Sequence, residues 1–166
     1  MKFIGALLAA AALITPILAG PVPEPAENLL DQRAPLVDCA PRLKTATGPV
    51  KHFRVDVAVA KEQARKAGLT TGKSGDPHRY FNGDHIVFDV HNCDKAGAIL
   101  WEYPIYWVGK NAQWQKDTKT DKQPGGPTPI RVVYANNKGG IVYCGVMTHA
   151  IVTSNNQGQD FFERCR

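Results

Sequence analysis

The sequence predicts an α+β domain: an N-terminal hairpin, then one α-helix packed on a twisted antiparallel β-sheet, with two disulfides. Three observations carry this. One segment, DVAVAKEQARKAGL at residues 56–69, has a helical apolar period. Several later segments are β-branched and aromatic-rich and are separated by clusters of Gly, Asn, Asp and Pro. Four cysteines are spread widely over a chain that opens like a secreted protein.

Lys2 is followed by an apolar run from Phe3 to Leu18 and by the small residues Ala19 and Gly20, so residues 1–19 read as a signal peptide. The run is short and broken by Pro16, which argues against a membrane span. Residues 20–33 are rich in proline and acid and show no periodic apolar face, the pattern of a pro-segment or leader, with Arg33 as a processing point. Residues 34–166 are then enough for a single domain with one modest core. Residues 1–33 hold two of the chain's 20 basic and three of its 15 acidic side chains, so the domain carries about +6, a balance that favours a polyanionic partner.

Within the domain, CAPRLKTATGPVKHFRVDV has two short runs about Thr47-Gly48-Pro49, the pattern of a hairpin. In the helical segment Asp56 can cap, Val57, Ala60, Ala64 and Ala67 share a face, and Gly68 ends the run. HIVFDV, AILWEYPIYWV, PIRVVYA, GGIVYCGVMTHAIV and FFERC follow as the expected strands. With one face covered by the helix, the other is free to hold a substrate. Cys39, Cys93, Cys144 and Cys165 allow three pairings; joining Cys39 to Cys165 would staple the termini and leave Cys93 with Cys144. No CxxC pair supports a zinc site.

His78, Glu102, Arg131 and His149 lie inside or beside these apolar runs. Burying such groups costs several kcal/mol, roughly, unless they satisfy one another or face a working cleft. Each alone has a plain structural reading, as a sheet histidine, an edge carboxylate or a cross-strand ion pair. Together they match metal-free RNA cleavage, in which the 2′-hydroxyl attacks its own phosphodiester: Glu102 as base, His149 as acid, Arg131 on the phosphoryl oxygens and His78 orienting the 2′-hydroxyl side. No cofactor is called for. A metal site from His78, His85 and His91 with Asp76, Asp84 and Asp89 lacks a ligand motif. The polar loop from Gly109 to Pro129 carries Lys110, Lys116, Lys119 and Lys122 and one aromatic, Trp114, which suits contacts to an RNA backbone.

The ordered set PH, LWEYP, RVVY, GVMTH and FFERC resembles the small fungal guanyl-specific ribonucleases. Cys93 before the Glu102 segment and Cys144 in VYCG bring it closer to the ribotoxins, the alpha-sarcin branch of that family. Asp76, where the wider family usually has tyrosine, agrees with the small insect-pathogen group. The resemblance covers nearly all of residues 34–166.

It implies the small microbial-ribonuclease fold and the same four catalytic roles, with Phe162 by the phosphate and Asp76 tuning the charge of the site or bonding a neighbour. It puts guanine recognition on Tyr80, Phe81, Asn82, Gly83 and Asp84, where an acid accepts the base's N1 and N2 protons and an aromatic stacks on the ring. Asp84 is one carbon shorter than the family's usual glutamate.

The resemblance further implies a monomeric, secreted insecticidal toxin that meets anionic membrane lipids during uptake. It would act in the cytosol of target cells, cutting the sarcin-ricin loop of large-subunit rRNA in the ribosome once and stopping translation. A general extracellular guanyl-preferring ribonuclease and a non-catalytic secreted protein binding RNA or membranes are the alternatives.

Overall fold

The computed structural model describes residues 35–45, 48–138 and 140–166. The expected signal peptide and leader lie outside these residues, as does Thr47 of the expected hairpin turn. Strand β1 (Leu36–Cys39) pairs antiparallel with β3 (Phe53–Asp56), giving the N-terminal hairpin. Between them the short β2 (Arg42–Leu43) leaves the hairpin and runs parallel to the end of a later strand, β7 (Gly140–Val152).

Helix α1 (Val57–Ala67) follows β3 directly. Asp56 Oδ1 accepts from the N–H groups of Ala58 and Val59 at 2.8 and 3.1 Å, satisfying two of the helix's otherwise unpaired donors. At the other end Gly68 has φ 69°, the left-handed conformation that a side chain disfavours, and its N–H returns to Ala64 O. Val57, Ala60, Ala64 and Ala67 are buried, and Gln63 with them.

The main sheet is built from β4 (His78–Tyr80), β5 (Leu100–Pro104), β6 (Ile130–Asn137), β7 (Gly140–Val152) and β8 (Gly158–Arg164), with β2 at its end. Apart from β2 the ladder is antiparallel. Thr148 pairs with both β6 and β8, and Ile151 with both β2 and β8. Thus β6 and β2 share one edge of β7 while β8 takes the other.

Alternation along the strands divides the side chains between two faces. Tyr103, Val132, Tyr134 and Val146 pack on the alanines of α1, and Tyr134 donates to Gly68 O at 2.7 Å. The other face holds a second cluster around Tyr80, Phe88, Leu100, Val133 and Met147.

HIVFDV is not a strand. His85 and Asp89 have φ of 55° and 58°, and the Asp94 carboxylate takes the N–H groups of Phe88 and Val90 at 2.9 Å each. A side chain thus supplies the acceptors that a neighbouring strand would have given, and Phe88 plugs the second cluster at 1% exposure. One further turn of helix, α2 (His91–Asp94), is also unanticipated, as is the strand character of β4.

Cys39 is bonded to Cys165, closing 126 residues, and Cys93 to Cys144. Cys144 is the extra residue where the β6–β7 register shifts, so the second bond ties α2 to a bulge in the longest strand.

Candidate active site

Strand pairing assembles the polar face. His78 stands opposite Glu102, Arg131 opposite Pro104 and Met147, and His149, two residues beyond Met147, opposite Phe162. Residues two apart share a face, so His78, Glu102, Arg131, His149 and Phe162 all project from the side of the sheet away from α1.

Glu102 is buried at 5% exposure, and a carboxylate there needs a partner. His78 supplies it: Nε2 lies 2.6 Å from Glu102 Oε1, while Nδ1 lies 3.0 Å from Asp76 Oδ1. Each ring nitrogen faces a carboxylate, so both donate and the ring is an imidazolium. The hydrogen bonds to Asp76 and then Glu102 push its pKa up to about 10, against a smaller desolvation effect. Asp76, itself 7% exposed, follows a turn in which its N–H bonds Ser74 Oγ, and the Asp76–Pro77 peptide is cis. Glu102 Oε2 is buried and has no protein partner, leaving an acceptor free.

Arg131 is fixed by its own chain: Nη1 donates to Thr128 O at 2.9 Å and to Ile130 O at 3.0 Å. Among the described residues it makes no ion pair, and its Nε is buried with no partner. Burial lowers its pKa, while Glu102 and Asp76 pull the other way.

His149 is held from β8. Its ring lies on that of Phe162, centroids 4.0 Å apart and planes 34° apart, and Nδ1 lies 2.8 Å from Asp160 O. A carbonyl only accepts, so Nδ1 carries a proton and Nε2 is the nitrogen left for chemistry. Asp160, at φ 70°, sits where β8 has an extra residue relative to β7, and that bulge aims its carbonyl inward. Burial lowers the His149 pKa most; the Asp160 bond opposes this and the charge of Arg131 adds to it. Sequence reasoning missed Asp160, because the group that acts is a backbone carbonyl. Its only trace is the Gly-x-Asp spacing in a strand.

The expected base-recognition loop is mostly occupied with itself. Tyr80 is 8% exposed and donates to Asn82 Oδ1; Asn82, at φ 51°, bonds Ile86 N and O. Asp84 Oδ2 accepts from Phe162 N at 3.1 Å, tying this loop to the strand behind His149. Phe81, 85% exposed with Arg79 near its ring, is the aromatic that remains open. Of the other groups considered for a metal, Asp89 pairs with Arg164, and among the described residues no three His, Cys, Asp or Glu side chains converge as ligands.

The lysine loop divides, and two of its expected contacts need correction. Trp114 is 7% exposed and belongs to the core under α1, which takes it out of any substrate surface. Lys116 donates to Ala67 O at 2.8 Å and to Thr70 Oγ1 at 2.9 Å, so its ammonium closes the helix C-terminus instead of reaching for phosphate. The polarity of their neighbours hid both: Gln123 is buried and folds the loop by bonding Gln115 and Thr118. Lys110 lies over the Trp107 ring and lines a cavity with Asp56 and Gln63, on the α1 side of the sheet. Lys119 precedes and Lys122 ends a 3-10 turn, Thr120–Lys122, and Thr120 donates to Ser74 O, which places these two exposed lysines beside the segment leading into Asp76.

A basic α+β domain with a carboxylate, a guanidinium and two imidazoles on one sheet face defines a class, and residues 44–166 match it: the chain belongs to the ribonuclease family. It is an endoribonuclease of the ribotoxin type. Its structure is similar to that of hirsutellin A from Hirsutella thompsonii, with 70% sequence identity over 80% of this chain and all of that one, at a TM-score of 0.70. It also shares the fold of restrictocin, an Aspergillus ribotoxin, at 20% identity over 79% of this chain and 99% of that one, with a TM-score of 0.56. None of the curated proteins matches the chain. The resemblance read from the motifs is thereby borne out, and with it the fold class.

Proposed function

We propose that the protein is a secreted insecticidal ribotoxin that cleaves one phosphodiester bond in the sarcin-ricin loop of large-subunit rRNA, through a 2′,3′-cyclic phosphate, and so stops translation in the cytosol of target cells. The observation that carries the chemistry is the set of vacant functional atoms on one sheet face: Glu102 Oε2 and Arg131 Nε without partners, and the Nε2 edge of His149 outside the bond to Asp160.

Glu102 takes the 2′-hydroxyl proton through Oε2 while His78 and Asp76 hold the carboxylate in place. The 2′-oxygen attacks phosphorus, and charge growing on the phosphoryl oxygens falls to the free donors of Arg131. His149 Nε2 gives its proton to the departing 5′-oxygen. DNA, lacking the 2′-hydroxyl, offers no nucleophile. Burial lowers the His149 pKa, and the negative charge of a bound phosphodiester, greater still in the phosphorane, raises it again.

Guanine is read by the Phe81 face, by the backbone of the Tyr80–Asp84 loop and by the second oxygen of Asp84. Lys119 and Lys122 contact rRNA away from the scissile bond.

The test is incubation of the protein with intact ribosomes and with naked rRNA. One discrete 3′ fragment of large-subunit RNA from ribosomes is the expected result; a smear from both would instead indicate a general guanyl-preferring ribonuclease, and no cleavage a binding protein. Glu102→Gln and His149→Gln, folded, are expected to lose about 10² to 10⁴ in kcat each. Full activity in either variant overturns the mechanism.

A further inference from the structure

We propose that Gly158 is a positioning residue for the general acid: the missing side chain at the start of β8 lets that strand close on the edge of the His149 ring. This rests on the reading of His149 as the acid. A Cβ at Gly158 would lie 2.1 Å from His149 Cδ2, 2.6 Å from Cγ and 3.0 Å from Cβ. Carbon atoms not bonded to each other do not approach so closely. Gly158 does not have a positive φ, so its backbone would accept alanine, and the obstacle is the His149 side chain.

The ring has no room to yield in place. Phe162 covers one face at 4.0 Å between centroids, and Asp160 O holds Nδ1 at 2.8 Å. The β7–β8 turn is itself pinned, because Lys51 Nζ donates to Asn156 Oδ1 at 2.8 Å and to Ser154 O at 3.3 Å. Three contacts from one short stretch of β8, at residues 158, 160 and 162, therefore leave His149 one orientation, with Nε2 outward. A methyl group at 158 swings the ring away from Asp160 O and carries Nε2 off the leaving group. Displacements of about 1 Å at a reacting atom cost on the order of 10² in rate.

Gly158→Ala is therefore expected to lower kcat about 10²-fold on a short RNA with little change in KM. The decisive comparison uses the same RNA with sulfur in place of the scissile 5′-oxygen. In that substrate the 2′-oxygen bonds to phosphorus, the P–S bond breaks and the thiolate departs without a proton, so an acid is not required. Most of the Gly158→Ala loss should vanish there.

The ratio of rates on the two substrates, measured on one preparation, is independent of the fraction folded. His149→Ala serves as the control. If it loses equally on both substrates, the acid reading itself fails and the inference with it. If His149→Ala is restored by sulfur and Gly158→Ala is not, or if Gly158→Ala keeps full activity on ordinary RNA, the positioning role alone is overturned. In ¹⁵N NMR spectra the His149 Nδ1 signal should also shift in Gly158→Ala, reporting loss of the Asp160 bond.

Discussion

Replacing Arg131 by glutamine tests the phosphate-binding half of the site. The guanidinium has five N–H donors, and Nη1 spends its pair on Thr128 O and Ile130 O at 2.9 and 3.0 Å. Nε–H and the Nη2 pair remain, and Nε is buried with nothing to bond. An unsatisfied buried donor costs about 1–3 kcal/mol, a standing cost offset when a phosphoryl oxygen arrives. Removing one donor of this kind costs about 3–4 kcal/mol in the transition state, or about 10²- to 10³-fold in kcat. Glutamine brings a neutral amide in place of the cationic fork, so the loss should fall in this range.

A second signature follows from charge. Arg131 is among the causes that lower the His149 pKa, so its removal raises that pKa toward 6.5. The acid must carry its proton, so the rate falls as pH rises through this value. The alkaline limb of kcat/KM should therefore move up in Arg131→Gln. Initial rates on a short RNA, taken across the acid and neutral range, give both quantities. A loss under about tenfold, or a limb that stays in place, would refute the assignment. The fold should bear the change, since what Nη1 loses is two hydrogen bonds to backbone carbonyls, about 1 kcal/mol each.

Two further outcomes follow from the same geometry. His78 is raised to about 10 by Asp76 and Glu102, so its bound proton stabilises the folded state fully below pH 6.5, and that contribution is lost as pH climbs from 6.5 to about 10. The gap in urea midpoint between the wild type and His78→Gln should narrow across that window, and a constant gap would contradict the imidazolium. The lysine loop should also split by function. Lys116→Ala is expected to cost about 1–2 kcal/mol of stability with kcat nearly intact. Lys119→Ala should leave the melting temperature unchanged but reduce the slope of log KM against log salt by about one; the reverse pattern would mean the loop has been misread.

What the sequence makes legible depends on whether residue type is the acting property. Helix α1 was readable to within a residue at each end because Asp56, the four buried apolar positions and Gly68 all act through their own chemistry. Glu102, Arg131 and His149 stood out because charge in an apolar strand is costly enough to need a reason. HIVFDV misled because its composition is that of a strand, while the deciding group, the Asp94 carboxylate, lies outside it in sequence. Trp114 misled in the opposite way, an aromatic core residue in a loop whose polar neighbours fold inward around Gln123.

The orientation of His149 was the least legible, because it is set by a carbonyl, a ring face and an absent side chain: Asp160 O, Phe162 and Gly158. Only Phe162 had a residue-type signature. The other two depend on the register of β8 and its bulge, which a list of strand-forming residues does not contain. Side chains thus supply the reacting groups of this enzyme, while strand geometry supplies their aim. Variants in the backbone-defined half should accordingly lose rate without losing a single titrating group.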